Sequence, residues 1–289
     1  MHLLIQALIS GILIGGLYAI IAVGVTLSWG MLKIINLAHF SFFLFAAYIT
    51  YQFSITTGAD PFLSLIITIP LFFVLGLVLQ WFFEIFAVEE FASLLVTFGL
   101  FIILESLMRE IWTADLRTLP IDIVPYRVES IWIGPFALRI PHLGAFITAI
   151  VVSAATWLFM NRTYAGKALR AMSQDKQIAS AFGINHRQLA VLLGGINGIY
   201  AAVAGAFIAT MFVLRPDGAI EFIGVIFAVV ILGGLGNTAG AFGASMIVGV
   251  TQSLTSAILD PGFAPLVTFS LLIFVLLFKP EGLFTRRAA

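Results

Sequence analysis

Apolar positions run along this chain in long unbroken stretches, and charged positions are confined to a few short intervals. Leu3 to Leu32 carries no charged residue, and neither does Pro61 to Phe83. Each run exceeds the roughly 20 residues that cross a hydrocarbon core as a helix. The runs do not alternate apolar with polar residues, which excludes the short strands of a membrane barrel. The pattern predicts an all-α, polytopic helix bundle with spans near 3–29, 34–56, 62–83, 91–112, 143–161, 190–214, 220–236, 238–259 and 263–278. The segment after Lys33 and the pair around Gly233 to Gly240 read as broken or re-entrant, so the expected count is about 8–9 transmembrane helices. Only His2 precedes the first run, which is too long for a signal-peptide core and is read as a retained span.

Composition agrees with the pattern. Hydrophobic residues make up 61% and charged residues 10% of the 289 positions. No soluble domain of this length hides that much apolar surface, so the solvent is lipid and residues 1–289 form a single transmembrane domain. The formal net charge is zero and no basic patch points to nucleic acid. With no cysteine, disulfides, thiol catalysis and thiolate metal sites are excluded.

One interval stands apart. Residues 162–188 carry Arg162, Lys167, Arg170, Lys176 and Arg187 against a single acid, Asp175. With Lys279, Arg286 and Arg287 of the tail they account for eight of the fourteen Lys and Arg residues, which places both segments in the cytoplasm. Residues 113–142 balance Arg117, Arg127 and Arg139 against Asp115, Asp122 and Glu129, are rich in proline, and read as an extracytoplasmic loop with some extended structure. Ala165 to Phe182 is a helix former stopped by Gly183. Its Ala168, Ala171 and Met172, followed by Ile178, Ala179, Ala181 and Phe182, form an apolar side. That side suits docking in a groove of another protein, or lying on headgroups as a basic surface helix.

Catalytic chemistry is thin. His2, His39, His142 and His186 have no metal-ligand spacing, and no serine occupies a Gly-x-Ser-x-Gly elbow. The four lysines precede Ile34, Ala168, Gln177 and Pro280, so the Lys-Ser/Thr pair of a phosphate-binding loop is missing and any ATP is hydrolysed by a partner. Polar groups inside the spans are costly and mark candidate function. Asn36, His39 and Ser41 follow the break after Lys33 as a candidate substrate path, or as a satisfied polar cluster between helices. Glu105 and Arg109 share a helix face as a structural pair, and Glu221 is expected at the interface. Small-residue pairs Gly11 and Gly15, Gly194 and Gly198, and Gly236 and Gly240, together with Gly233, suit close helix packing.

These residues resemble a known family. Arg162-Thr163, Gly166, Leu169-Arg170-Ala171, Asp175, Ala179 and Gly183-Ile184-Asn185 are similar to the cytoplasmic loop of permease subunits of branched-chain amino-acid (LIV-type) ABC importers. Gly15-Gly16-Leu17-Tyr18-Ala19, Asn36-Leu37-Ala38-His39, Leu232 to Asn237 with Gly240-Ala241, and Lys279 to Phe284 agree in order and spacing. The resemblance runs nearly the whole chain. It implies one of two membrane subunits of a bacterial inner-membrane importer, completed by a second permease subunit, two cytosolic ATPase subunits that bind ATP and Mg, and an external solute-binding protein. It implies no cofactor in this chain, and it makes Gly166, Arg170, Ala171, Asp175, Ala179, Gly183, Ile184 and Asn185 the ATPase-coupling residues.

The chain also departs from that family. After His39 it continues with Phe40 and Ser41 instead of Gly and an acid. A glutamate typical of the later GA-containing segment is replaced by Gln252, and Glu84, Glu89 and Glu90 stand where basic residues are usual. Loss of the acid near Ser41 hints at a cargo that is a carboxylate without an amine, or an aromatic one. The competing reading is a stand-alone channel or secondary transporter, against which the scarcity of intramembrane carboxylates counts.

Overall fold

The computed structural model describes residues 2–284. It is helical apart from one hairpin. The elements are α1 (His2–Leu32), α2 (Ala38–Thr57), α3 (Leu65–Ile85), α4 (Glu90–Trp112), β1 (Ser130–Ile133), β2 (Phe136–Arg139), α5 (Ile140–Arg162), α6 (Tyr164–Gln174), α7 (Lys176–Ala181), α8 (His186–Met211), α9 (Ile220–Gly233), α10 (Thr238–Ile258) and α11 (Ala264–Phe278). Short 3-10 turns at Pro61–Ser64 and Pro261–Phe263 lead into α3 and α11. Counting those turns, seven of the helices are long and apolar enough to cross a membrane. The 20-residue α2, diluted by His39, Ser41, Thr50 and Gln52, falls outside that set. The 14-residue α9 is a shorter apolar helix. At 1.5 Å per residue it reaches about 21 Å, short of a hydrocarbon core of roughly 30 Å.

Burial separates centre from shell. α1 and α8 are mostly buried, whereas α3, α4, α5 and α11 turn apolar side chains such as Ile66, Val78, Ile103, Val151 and Leu277 outward. An outward apolar shell is what lipid contact requires, and the centre is held by close backbone packing in place of a hydrophobic effect. A Cβ on Gly11 would stand 2.5 Å from the Cα of Val250, and one on Gly15 2.8 Å from the carbonyl oxygen of Ser245, so α1 rests directly on α10. Gly198 lies against the carbonyl of Phe72 and Gly194 against Gln80, which brings α8 onto α3. Both glycines of each of these pairs face the same neighbouring helix.

The Gly236 and Gly240 pair does not. Gly236 lies outside any helix, in the turn after α9, with φ 78°. Its left-handed conformation suits glycine, and the backbone of Gly30 closes onto it. Gly240, inside α10, meets the carbonyl of Gly233 instead. The contact that joins α9 to α10 is therefore Gly233 with Gly240.

The break after Lys33 is real. α1 stops at Leu32, Lys33 takes φ 54°, and α2 begins only at Ala38. Backbone groups freed inside a membrane must find partners, and α4 supplies them. Ser93 Oγ accepts from the N–H of Ile35 at 3.2 Å, Thr97 Oγ1 accepts from the N–H of Leu37 at 3.0 Å, and Thr97 Oγ1 donates to the carbonyl of Ile35 at 3.1 Å. Ser93 and Thr97 are one helical turn apart, so both hydroxyls reach the same break.

The expected single helix over Ala165 to Phe182 is two. Asp175 ends α6 with φ −153°, and its Oδ1 accepts from the N–H groups of Gln177 at 2.8 Å and Ile178 at 2.9 Å. An Asp at that place caps the next helix better than it continues the last one. In the 113–142 segment the extended structure takes the form of the antiparallel hairpin β1–β2, with Ser130 opposite Arg139 and Ile133 opposite Phe136. Residues Gly134 and Pro135 make its turn.

The two ends of the bundle are distinct. Gln6 of α1 exchanges hydrogen bonds with both the N–H and the carbonyl of Ala137 in β2, at 3.0 and 2.8 Å. Tyr126 Oη donates to Asp60 before α3, Trp112 at the end of α4 donates to Gln52 of α2, and Arg117 pairs with Leu214 beyond α8. At the opposite end, Trp29 donates to Glu90 and the N–H of Leu283 bonds the carbonyl of Leu232. Residues 162–188 lie at that end. Arg286 and Arg287 lie outside the described residues.

Candidate functional site

Residues 162–188 form a jointed arm. Thr163 Oγ1 accepts from the N–H of Gly166 at 3.1 Å and starts α6. Gly166 is glycine because α6 crosses α5 at backbone contact, where a Cβ would stand 2.5 Å from the Cα of Met160. Leu169 then packs with Met160, Val23, Leu27 and Leu193, so α6 is fixed to α5, α1 and α8 together. Ala168 and Met172 are buried on the same side, and Ala171 is half-buried. Arg170 Nη2 donates to Asn161 Oδ1 at 2.7 Å, tying α6 to the end of α5.

Of the apolar residues that the sequence puts on one side of the arm, Ile178 and Phe182 are the exposed large ones, and Tyr164 joins them. Phe182 is 82% exposed, Tyr164 76% and Ile178 59%. The sequence put Ala168 and Met172 on the outward side because both segments were read as one helix. The joint at Asp175 instead lets α6 face the bundle while α7 presents Ile178 and the residue just after it presents Phe182. Ala179 is buried and accepts the N–H of Ile184 at 3.2 Å after Gly183, which has φ 80° and open space around its Cα. Asn185 Oδ1 accepts from the N–H of Gln188 at 3.2 Å and starts α8.

An acid outside the segment holds this arm. Glu84 Oε2, at the end of α3, lies 3.6 Å from Lys176 Nζ and 3.9 Å from His186 Nε2. Arg187 Nη2 donates to the carbonyl of Glu84 at 3.1 Å. Glu84 stands where the resemblance implies basic residues, and in the structure its carboxylate faces the basic arm.

Asn36, His39 and Ser41 are brought close but do not line an open passage in this conformation. Asn36 Oδ1 accepts from the N–H of His39 at 3.2 Å, at the start of α2. Ser41 Oγ donates to the carbonyl of Phe101 at 3.2 Å and is fully buried. His39 is 2% exposed, and its ring lies where a Cβ on Gly24 would be. Asn36 and His39 share a void of about 10 Å³ with Ser28, Gln80 and Asn197. That is no more than one water's space. The Nε2 atoms of His39 and Gln80 and Oδ1 of Asn197 have no partner among the described residues.

A larger cavity than this void lies elsewhere. A cleft of about 640 Å³ opens between the N-terminal half of α1, the C-terminal half of α10, the hairpin and the start of α5. Its polar lining includes Gln6, Tyr18, Arg139, His142, Gln252 and Ser253. Tyr18 Oη donates to Gln252 Oε1 at 2.7 Å across the α1–α10 contact. Sequence reasoning reached Gln252 only as a missing glutamate and did not connect it with Tyr18, 234 positions away. Among the described residues no group of three His, Asp or Glu is placed to hold a metal ion.

Comparison with known proteins agrees with this architecture. Residues 7–278 match the family model described as branched-chain amino acid transport system / permease component. The chain is similar to the high-affinity branched-chain amino acid transport system permease protein BraD of Pseudomonas aeruginosa, 26% identical over 301 residues, covering 98% of this chain and 96% of BraD. It is similar to the permease protein LivH of the corresponding system in Escherichia coli K12, 27% identical over 311 residues, with 98% and 96% covered. A probable branched-chain amino acid transport permease protein LivH of Methanocaldococcus jannaschii is 24% identical over 294 residues, with 94% and 90% covered. No solved structure matches significantly. The full-length match and the multi-pass helical bundle together show that the chain belongs to the branched-chain amino acid transport permease family.

Proposed function

We propose that this permease is one of the two membrane subunits of an ATP-driven bacterial inner-membrane importer for branched-chain amino acids or a related small carboxylate. A second permease, two cytosolic ATPases that bind ATP and Mg, and an external solute-binding protein complete the assembly. Alternation of the helix ends between the two poles of the bundle supports nine traverses, with α9 the short one. The N-terminus and residues 113–142 then face outward, and residues 162–188 and the C-terminus face the cytoplasm, as the basic residues require.

The observation that carries this reading is the jointed arm. α7 and the residue just after it offer two exposed apolar side chains, Ile178 and Phe182, on a segment with a net basic charge. α6 joins α7 to the ends of α1, α5 and α8 through buried contacts. A push on α7 from a closing ATPase pair is thereby delivered to the centre of the bundle. Different contacts of α7 with open and closed ATPases supply the bias that a two-state transporter needs. The break between α1 and α2, with Asn36 and His39, is where the closed path opens in the other state.

The test is co-purification and reconstitution. The chain expressed with its neighbouring ATPase and permease genes yields one complex that takes up leucine, isoleucine or valine, or a related acid, in proportion to ATP hydrolysed. A solitary chain that transports without ATPases would overturn the reading in favour of a stand-alone carrier.

A further inference from the structure

The cleft beside the hairpin has the chemistry of an anion site. Arg139 is exposed at its edge and makes no ion pair with a described residue. Gln252 gives its oxygen to Tyr18, which fixes the amide plane and leaves Nε2 as a donor beside the hydroxyl of Ser253. His142 also lines the cleft, with its Nδ1 buried and without a partner among the described residues. Gln6, by contrast, is occupied by Ala137 and serves to hold the hairpin over the cleft. The lining contains no Asp or Glu. A volume of about 640 Å³ accommodates a small organic solute.

We propose that this cleft receives the carboxylate group of the transported solute. Arg139 is its counter-charge, and Gln252 Nε2 and the Ser253 hydroxyl are neutral donors. The inference rests on the import reading and deepens it. One cation with fixed neutral donors and no acid recognises an anion, and an ammonium on the same solute finds no anion on this side. Such an ammonium would turn to the open side of the cleft, where the second permease completes the path.

This chain has no cysteine, so Ser253→Cys gives it a single thiol, and labelling is read as the mass added to this chain after the subunits are separated. In the assembled importer in neutral-lipid liposomes, without cargo, anionic and cationic methanethiosulfonate reagents are compared, each scaled to its rate with a free thiol. The anionic reagent is expected to react faster by about tenfold, as focused charge in a cleft produces. Arg139→Gln should bring the ratio near one and Arg139→Lys should keep it. Added Gln252→Glu should lower it. Cargo carboxylate, delivered by the binding protein, should slow labelling, and the corresponding primary amide should not. Co-purification with the ATPase and partner permease subunits reports that each variant has assembled.

A ratio near one before any change at Arg139, or equal protection by acid and amide, overturns the proposal. Protection by anionic lipid alone, with none by cargo, assigns the cleft to a headgroup and also overturns it. Should the charge ratio appear while uptake proves independent of ATP, the import reading fails and the anion site stands. Should ATP-driven uptake be intact without the ratio, only the anion site fails.

Discussion

Glu84 Oε2 lies 3.6 Å from Lys176 Nζ, joining the end of α3 to the first residue of α7. The glutamate side chain is 12% exposed and the lysine 58%. A pair this open contributes less than about 1 kcal/mol, so its role is to orient α7 more than to stabilise the bundle. Glu84→Gln is expected to leave the melting temperature of the permease nearly unchanged and to lower solute uptake per ATP several-fold. Glu84→Lys, which sets like charges together, should do so more strongly. Uptake and hydrolysis measured together in proteoliposomes decide it, and unchanged coupling in both variants would remove Glu84 from the arm's function.

Ile178 and Phe182 bury little in the chain itself. Ile178→Asp and Phe182→Asp should therefore fold and melt as the parent does. Both should lose the ATPase subunits on purification, by at least tenfold in retained complex, which corresponds to about 1.4 kcal/mol. Arg170→Glu differs because it breaks the bond to Asn161, and it should uncouple hydrolysis from uptake with the complex still assembled. Full retention of the complex in both aspartate variants would show that α7 is not the docking element.

Two glycines on apolar helices should behave in opposite ways. Gly198→Leu forces a side chain into the carbonyl of Phe72 and must part α8 from α3. Overpacking of this kind costs typically 1–3 kcal/mol or more, and the expected result is a large fall in monodisperse protein after extraction. Gly99, on α4, has nothing within 4 Å of a built Cβ, so Gly99→Ala should be neutral or slightly stabilising. Size-exclusion profiles and thermal melts of the pair check both.

Tyr126 Oη donates to Asp60 Oδ2 at 2.6 Å and ties the 113–142 segment to the start of α3. Burial, and then the bond to and charge of Asp60, hold the hydroxyl well above its ordinary pKa, so it remains a donor throughout the neutral range. Tyr126→Phe should cost about 1.5–3 kcal/mol, the usual range for a bond to a charged group. Because the folded pKa is raised, the contribution is fully present below the ordinary value of 10.0 and is lost as pH rises through the higher folded value. The difference in melting temperature between parent and variant should therefore shrink in strongly alkaline buffer. A constant difference would mean the tyrosine acts by packing alone.

Much of this is legible in linear order. Membrane class, the all-helical architecture, the break after Lys33 and the basic interval follow from runs of apolar residues and the positions of charges, whereas of the eight to nine expected spans seven helices are long and apolar enough to cross, with α9 a shorter apolar helix. These are properties of neighbours in the chain, and lipid reads them without reference to the fold. Glu105 and Arg109 likewise pair at 2.6 Å because a helix brings residues four apart together. Glu221, expected at the interface, meets Arg215 in the turn just before α9.

Long-range partners were not legible. Ser93 and Thr97 look like ordinary polar residues of an apolar helix until the broken backbone at Ile35 and Leu37 is set beside them. Asp175 looks like part of one helix, and only its cap bonds show that it turns the apolar face of α6 inward and that of α7 outward. Tyr18 and Gln252, 234 residues apart, meet because Gly11 and Gly15 let α1 settle on α10. Local periodicity and charge thus settle which solvent surrounds each segment and where helices begin and end, because those depend on transfer energies and nearby backbone bonds. Which polar groups share a cleft, and which glycine meets which backbone, depends on how two helices pack across a distance the chain does not encode locally.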